Sequence, residues 1–322
     1  MTPGQRESGG AAPLDVLVVG AGPAGLTAAM YLGRYRRRIR IVHDGRSRAL
    51  WIPLTRNVPG FPEGVKGIDL IERMTEHARR YGATIEEARV TDIVRRGDDL
   101  FVAALSSGGR LEARGVILAT GVETHLATLD AGDHMQAVAD GVLRYCPICD
   151  GFEHRGERIA VLGSDLHGAA EAMFLRQFSR HVTLIPKWQA TLTDAARDEL
   201  SASGVDVVEA RVDRLEAGPD SIIVSLEGED APRRFDILYP AFGSTPRSDL
   251  AERLGAILDT QRCLPFAAFS DGLLPGLYAA GDLLEGLDQI STAMGQGAMA
   301  ATRLHNWLRE RDGHILAAQH ET

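Results

Sequence analysis

Residues 14–34 read LDVLVVGAGPAGLTAAMYLGR, and this stretch decides the fold class. Leu14 to Val19 is an apolar run that stops at Gly20, the pattern of a buried parallel strand. Gly20, Ala21, Gly22, Pro23, Ala24 and Gly25 follow, then a helical stretch from Leu26 to about Arg34. A second strand, Ile39 to Val42, closes a βαβ unit. A lone GxGxxG says little; between a strand and a helix it says much more. Gly20 permits the tight turn, Gly22 lets the backbone approach a pyrophosphate, and Gly25 lets the helix lie close to the strand. The helix N-terminus then offers N–H groups and partial positive charge to phosphates. An acidic residue about 20 positions on should hold a ribose, and Asp44 is the candidate. Its competing reading is a solvated turn aspartate before Gly45.

Outward from this unit, residues 51–67 hold Pro53, Pro59 and Pro62 and read as an irregular loop. Ile68 to Tyr81 reads as an amphipathic helix with Ile68, Ile71, Met74 and Ala78 on its apolar face. Short alternating segments from Ile85 to Leu111 read as a strand meander, and Gly115 to Gly121 as a buried strand with a glycine stop. A second βαβ unit begins at Arg158: strand Ile159 to Leu162, a turn from Gly163, a helix from about His167 to Phe178, and strand Val182 to Ile185. More short strands end near Phe242. Leu277 to Ala280 is another buried strand closed by Gly281 and Asp282, and a small-residue helix runs from about Gln289 to Arg309. The expected class is α/β, with two Rossmann-like nucleotide-binding domains of three-layer ββα character, the second inserted in the first. The boundaries are a loose tail at 1–13, a first domain at 14–125 and 247–322, and a second at 126–246.

The chain has 322 residues, 44% hydrophobic and 25% charged, an ordinary globular balance that suits two cores. A net charge of −9 gives no basic stripe for a nucleic-acid partner. The run Arg34, Arg36, Arg37 and Arg38 reads as cations at a helix C-terminus. No apolar run approaches the roughly 20 residues that span a bilayer, and the first thirteen residues lack an apolar h-region. A cytoplasmic location is the expectation.

Cysteine occurs three times, twice in Cys146-Pro147-Ile148-Cys149-Asp150-Gly151. A CxxC pair opening a helix brings two sulfurs within bridging reach and lowers the pKa of the exposed thiol. The thiolate is the nucleophile of disulfide exchange. Two other readings stand beside this one: a zinc site with His154 and Cys263, and inert packing. Zinc wants four ligands and no second CxxC exists, so no metal is expected. Cys263 reads as a buried spectator.

GAGPAGLTAAMYL, NVPGFP, LATG, CPICDG and LYAAGDLLEGLDQISTAMGQGAMAA stand in the order found in low-molecular-weight thioredoxin reductases, and the chain resembles that family from Leu14 to about Arg309. The resemblance implies that the first domain binds FAD, with Asp282 after Gly281 at the ribityl chain. Asn57, Ala119, Thr120, Gly121 and Gln289 match other flavin-lining positions. Asp288 stands where relatives carry an arginine, and His43 where they carry the acidic residue, with Asp44 one position later. It further implies that Cys149 exchanges electrons with the flavin, that Cys146 attacks a partner's disulfide, and that Asp150 protonates the departing thiolate. A carboxyl does this at neutral pH only when burial raises its pKa; the alternative for Asp150 is a helix cap. A homodimer is also implied.

In relatives the second βαβ unit binds NADPH through GxGxxA/G and a following arginine pair. Here the turn reads Gly163, Ser164, Asp165, Leu166, His167, Gly168, with Asp165 at the central glycine. At an effective dielectric of 20 and 5 Å, a carboxylate facing a phosphate charge costs about 3 kcal/mol, roughly two decades in dissociation constant. The arginines are replaced by Pro186, Lys187 and Trp188, and one lysine is a point charge rather than a bidentate fork. Weak NADPH binding is expected, with His167 solvated and Trp188 packed.

The leading expectation is an FAD-dependent thiol–disulfide oxidoreductase acting on a thioredoxin-like protein or a small-molecule disulfide or dithiol. NADPH, ferredoxin or a substrate dithiol could supply its electrons. In the last case oxygen reoxidises the flavin, as in a dithiol oxidase. A non-catalytic flavin-binding redox sensor is the alternative from another class.

Overall fold

In the computed structural model, which describes residues 12–316, strand Leu14–Val19 stands inside a seven-stranded sheet. Its parallel neighbours are Ile39–His43 on one side and Arg110–Leu118 on the other, with Thr84–Glu87 beyond the first. Arg110–Leu118 is long enough to serve two partners. Its first half pairs antiparallel with Leu100–Leu105, which pairs in turn with Val90–Arg96, and its second half pairs parallel with Leu277–Ala279. Val16, Leu17 and Val18 are fully buried, as a strand covered on both faces requires. Each such side chain contributes about 1.5–3 kcal/mol by leaving water. Thr84–Glu87, expected to open the meander, instead extends the parallel sheet.

Helix Pro23–Arg34 starts three residues before the expected Leu26, because Pro23 at its first position is already set for helix. Helix Ile290–Arg311 packs on it through small residues: a Cβ on Gly297 would stand 2.2 Å from the Ala24 carbonyl oxygen. Ala293, Gln296, Ala300 and Ala301 are buried along the same helix. Asp312 then accepts hydrogen bonds from Arg37 at 2.8 Å and Arg114 at 2.7 Å, fastening the helix end.

The packing divides into two compact units, the first built from residues up to Ser47, Glu72–Gly121 and Pro246 onward, the second from Arg48–Ile71 and Val122–Thr245. Residues 48–71 thus group with the second unit, whereas the sequence reading assigns them to the first. Helix Gly67–Arg80 runs through that boundary; Ile71 and Ala78 are buried, but Ile68 is 51% exposed and does not belong to the apolar face expected of it. Leu70 takes that place. The tail at 1–13 lies outside the described residues up to 11; the carbonyls of Ala12 and Pro13 accept from the Arg38 guanidinium.

The second unit is three-layered. A parallel sheet ordered Asp206–Val207, His181–Ile185, Arg158–Leu162, Ile237–Pro240 lies between two covers. One is the antiparallel meander Val212–Ala217, Ile222–Leu226, Arg233–Phe235, whose Leu215, Ile222 and Val224 share a core with Leu162 and Leu238. The other consists of helices Leu166–Leu175 and Asp194–Ala202, sharing a core with Ile159, Ile237 and Tyr239. Alternation along Ile237–Pro240 therefore turns Leu238 to the meander and Tyr239 to the helices.

Candidate functional site

In the first unit, the C-terminal ends of the parallel strands carry the nucleotide motif. Gly20 has φ +111°, and a Cβ there would lie 2.2 Å from the Ala119 carbonyl oxygen, so only glycine fits. A Cβ on Gly25 would meet the Gly20 carbonyl oxygen at 2.0 Å, which is the close helix–strand packing the motif requires. Gly22 is the N-cap of helix Pro23–Arg34, in extended conformation and with no side chain to cap it. Pro23 has no N–H, so the first-turn donors belong to Ala24 and Gly25 and carry no side-chain acceptor. That arrangement suits a diphosphate.

Around it, Thr120 donates its hydroxyl to the Arg247 carbonyl at 2.7 Å. Gly281, φ +91°, donates its N–H to the buried Gln296 side-chain carbonyl at 2.8 Å and sets the turn that presents Asp282. Gln289 is the N-cap of helix Ile290–Arg311. Asp44 accepts from the Arg46 guanidinium at 2.7 and 3.0 Å, and Arg247 lies 4.0 Å away. Burial alone would raise the Asp44 carboxyl, but its hydrogen bonds to Arg46 and the charges of Arg46 and Arg247 bring it below its ordinary value. Asn57, whose side-chain oxygen accepts from Thr55 at 2.7 Å, belongs by packing to the second unit.

The dithiol lies in the second unit. Cys146 and Cys149 are joined in a disulfide with their Cα atoms 5.3 Å apart. Cys146 is the N-cap of the four-residue helix Pro147–Asp150. Among the described residues no group of three or more His, Cys, Asp or Glu stands together as a metal site. Cys263 is free, and it is half-buried rather than buried as expected. The burial it does have, with Asp259, Asp288 and Glu285 nearby, pushes the thiol pKa up and away from thiolate chemistry.

Asp150 does not act as a helix cap. It ends its helix, and its carboxylate turns to a cluster formed from three segments. The Tyr239 hydroxyl donates to Oδ1 at 2.7 Å. The Arg144 Nε stands 3.3 Å from Oδ2, within ion-pair reach but not aligned as a hydrogen bond. His154, bonded through Nδ1 to Glu157 at 2.7 Å, places its ring edge-on to Tyr239 at 6.3 Å. The Asp150 side chain is 18% exposed. Burial raises its pKa, and although the Tyr239 hydrogen bond and the charges of Arg144 and His154 oppose this, the net direction is up. Its acid form is therefore more accessible near neutrality than that of an ordinary aspartate. Tyr239 is fully buried; desolvation first, then the Asp150 charge and hydrogen bond, hold its hydroxyl far above the usual phenol range, so it stays a donor.

The second nucleotide-type turn keeps its packing glycines and fills its anion site. A Cβ on Gly163 would stand 2.7 Å from the Gly168 Cα, so strand and helix still meet closely. Asp165 caps helix Leu166–Leu175, its Oδ1 accepting from the N–H groups of His167 at 3.1 Å and Gly168 at 3.2 Å. His167 pairs with Glu171 at 3.2 Å; that hydrogen bond, with the charges of Glu171 and Asp165, lifts its pKa. The buried Ser164 hydroxyl accepts from the Trp188 N–H at 2.9 Å, and the Ser164 carbonyl accepts from the Thr191 N–H at 2.7 Å. The loop after strand His181–Ile185 is thus tied to the turn. Trp188 packs on Phe242 with ring centres 5.0 Å apart while remaining 58% exposed.

Sequence reading missed Tyr239, Arg144, Gln296 and Ser164. Tyr239 sits in an apolar strand where an aromatic reads as core; its one signal is that a buried hydroxyl needs a partner. Gln296 is a polar residue among glycines and alanines, a signal that was legible.

Two dinucleotide-type βαβ units, one presenting a bonded CxxC, define a nucleotide-binding disulfide oxidoreductase. Comparison with known proteins agrees: residues 14–297 match the pyridine nucleotide-disulphide oxidoreductase family. The chain is 31% identical to the bifunctional thioredoxin reductase/thioredoxin of Mycobacterium leprae, over 93% of this chain and 67% of that one. It is 28% identical to the thioredoxin reductase of Bacillus subtilis, over 92% and 95%. The solved structure of HlmI superposes with a TM-score of 0.86 at 30% identity, covering 94% of each chain. The chain belongs to the pyridine nucleotide-disulphide oxidoreductase family, and is a flavoprotein disulfide oxidoreductase of the thioredoxin reductase type.

Proposed function

We propose that the chain exchanges two electrons between FAD and the Cys146–Cys149 disulfide, and passes them to or from a thiol partner without efficient use of NADPH. The observation that carries this reading is the pairing of the CxxC disulfide with a largely buried Asp150, its pKa raised by that burial, in the same unit as a turn whose first-turn N–H groups Asp165 already occupies.

FAD, when bound, would supply a two-electron acceptor or donor for the disulfide. The residues that would hold it are Gly20, Gly22, Pro23, Ala24 and Gly25 at the diphosphate, Asp44 with its Arg46 partner toward the ribose, and Asn57, Ala119, Thr120, Gly121, Gly281, Asp282 and Gln289 along the rest. The open first turn fits that assignment. In thiol exchange, a substrate thiolate attacks Cys146 Sγ, the Cys146–Cys149 bond breaks, and Cys149 leaves as a thiolate that takes a proton from Asp150. The second substrate thiol then displaces Cys146. Two substrate thiols become a disulfide, the CxxC becomes a dithiol, and two protons are carried across. The reverse sequence reduces a partner disulfide.

The partner class is a thioredoxin-like protein or a small-molecule dithiol or disulfide; relatives named thioredoxin reductase support the first. The Asp165 cap favours a second reading of direction, in which a substrate dithiol is the electron source and oxygen the final acceptor. Ferredoxin would be another route past the same turn. The test is turnover: with a chemical reductant kept in excess over the flavin, a generic disulfide is added in excess and its reduction counted above the rate without protein. Many equivalents per protein support an enzyme; one equivalent followed by a halt would mean a redox sensor instead.

A further inference from the structure

Two stretches distant in sequence meet at the Asp150 carboxylate, the one around the CxxC and strand Ile237–Pro240. Arg144 precedes the CxxC, Asp150 follows it, and Tyr239 lies 89 residues further along on the helix-covered face of the parallel sheet. The sheet is rigid where Tyr239 sits. Its neighbours pair in register, Tyr239 with Val161 and Leu238 with Ala160, and the ring has no exposed surface. A hydroxyl fixed this way gives one carboxylate oxygen a single direction. The Arg144 guanidinium is anchored separately, donating to the Val138 carbonyl at 3.3 Å, and faces the other oxygen. With both oxygens addressed, the carboxyl is held against rotation and its backbone stays next to Cys149.

We propose that Tyr239 and Arg144 are positioning residues for Asp150, fixing the orientation of its carboxyl and setting the pH at which it gives a proton to the cysteine sulfur. This rests on the reading of Asp150 as the proton donor. Both act through Asp150, whose carboxylate oxygens they address. The charged or titratable groups that act on the carboxyl come from the CxxC segment, the loop after it and the sheet. Tyr239 and Arg144 favour the carboxylate, as does His154 when protonated, whereas Glu153 opposes it; Glu157 lies behind His154 and also faces Tyr239. Burial works against all the stabilising partners. Removing either positioning residue leaves burial less opposed, so the carboxyl keeps its proton to higher pH.

The experiment follows reduction of Cys146–Cys149 by dithiothreitol in the FAD-loaded protein under anaerobic conditions, quenching with an alkylating agent and reading cysteine modification by mass. Rates are divided by the thiolate fraction of dithiothreitol at each pH, which leaves a limb that falls as Asp150 loses its proton. Tyr239→Phe and Arg144→Met each move that limb up by about one pH unit, and Arg144→Lys, which keeps the charge, restores most of the wild-type position. Asp150→Asn removes the limb, and adding Tyr239→Phe to it changes nothing further. Even slowing at all pH values in Tyr239→Phe and Arg144→Met, with the limb in place, would overturn the proposal and leave Asp150 standing as the donor. A limb that persists in Asp150→Asn would instead remove the reading of Asp150 itself.

Discussion

Gly22 and Asp165 occupy the same place in the two strand–turn–helix units. Each is the N-cap of the helix that follows, and each has an extended backbone, φ −83° and ψ −176° in one, φ −138° and ψ −172° in the other. The glycine leaves first-turn N–H groups for a ligand; the aspartate consumes them with its own carboxylate. The second unit thereby carries an internal anion where a nucleotide phosphate would bind, and gains the stability of a helix cap, about 1 kcal/mol. One side chain thus separates a turn with open first-turn N–H groups from one whose N–H groups are capped. The scaffold itself is unchanged: Gly163 and Gly168 keep the close approach that Gly20 and Gly25 make in the first unit.

The largest effect that sharpens this division is Cys149→Ser. It should abolish electron exchange between dithiol and flavin while the purified protein remains yellow, since the flavin motif lies in the other unit; loss of colour would count against the assignment. Next comes the transplant Gly22→Asp. A Cβ there would meet only the Ser47 hydroxyl, at 3.4 Å, so the chain should fold. Its carboxylate would take the first-turn N–H groups and stand against the diphosphate, at about 3 kcal/mol per like-charge pair, and FAD affinity should fall by at least two decades, read by flavin content after purification. The converse change, Asp165→Gly, should tighten NADPH by up to about two decades in a binding titration, for a few tenths of a kcal/mol of stability. The smallest effect separates cap from charge. Asp165→Asn should hold thermal stability within about 0.5 kcal/mol, because asparagine caps as well as aspartate, and should improve NADPH binding less than glycine does.

Where the sequence was legible, local physics decided the outcome. The run from Leu14 to Gly25 fixes strand, turn and helix within one stretch, because burial on both faces and close approach leave few residue choices. The CxxC was legible for the same reason. The direction of the Asp165 carboxylate was not. From sequence it could equally face outward toward a phosphate, and the choice was made by two free N–H groups at the helix start. Tyr239 was hidden more deeply, since its partner lies on the far side of the second unit's chain path and its strand reads as plain core. Ile68 went astray because the helical stripe shifts by two residues to Leu70 once the helix lies on its neighbours.

On the proposed function, electrons pass between flavin and dithiol, and a nucleotide at the second turn does not supply them efficiently. The most direct measurement adds NADPH or a simple dithiol to the FAD-loaded protein without oxygen and follows flavin absorbance. Bleaching by the dithiol with none by micromolar NADPH is the predicted result; fast bleaching by micromolar NADPH would contradict the account.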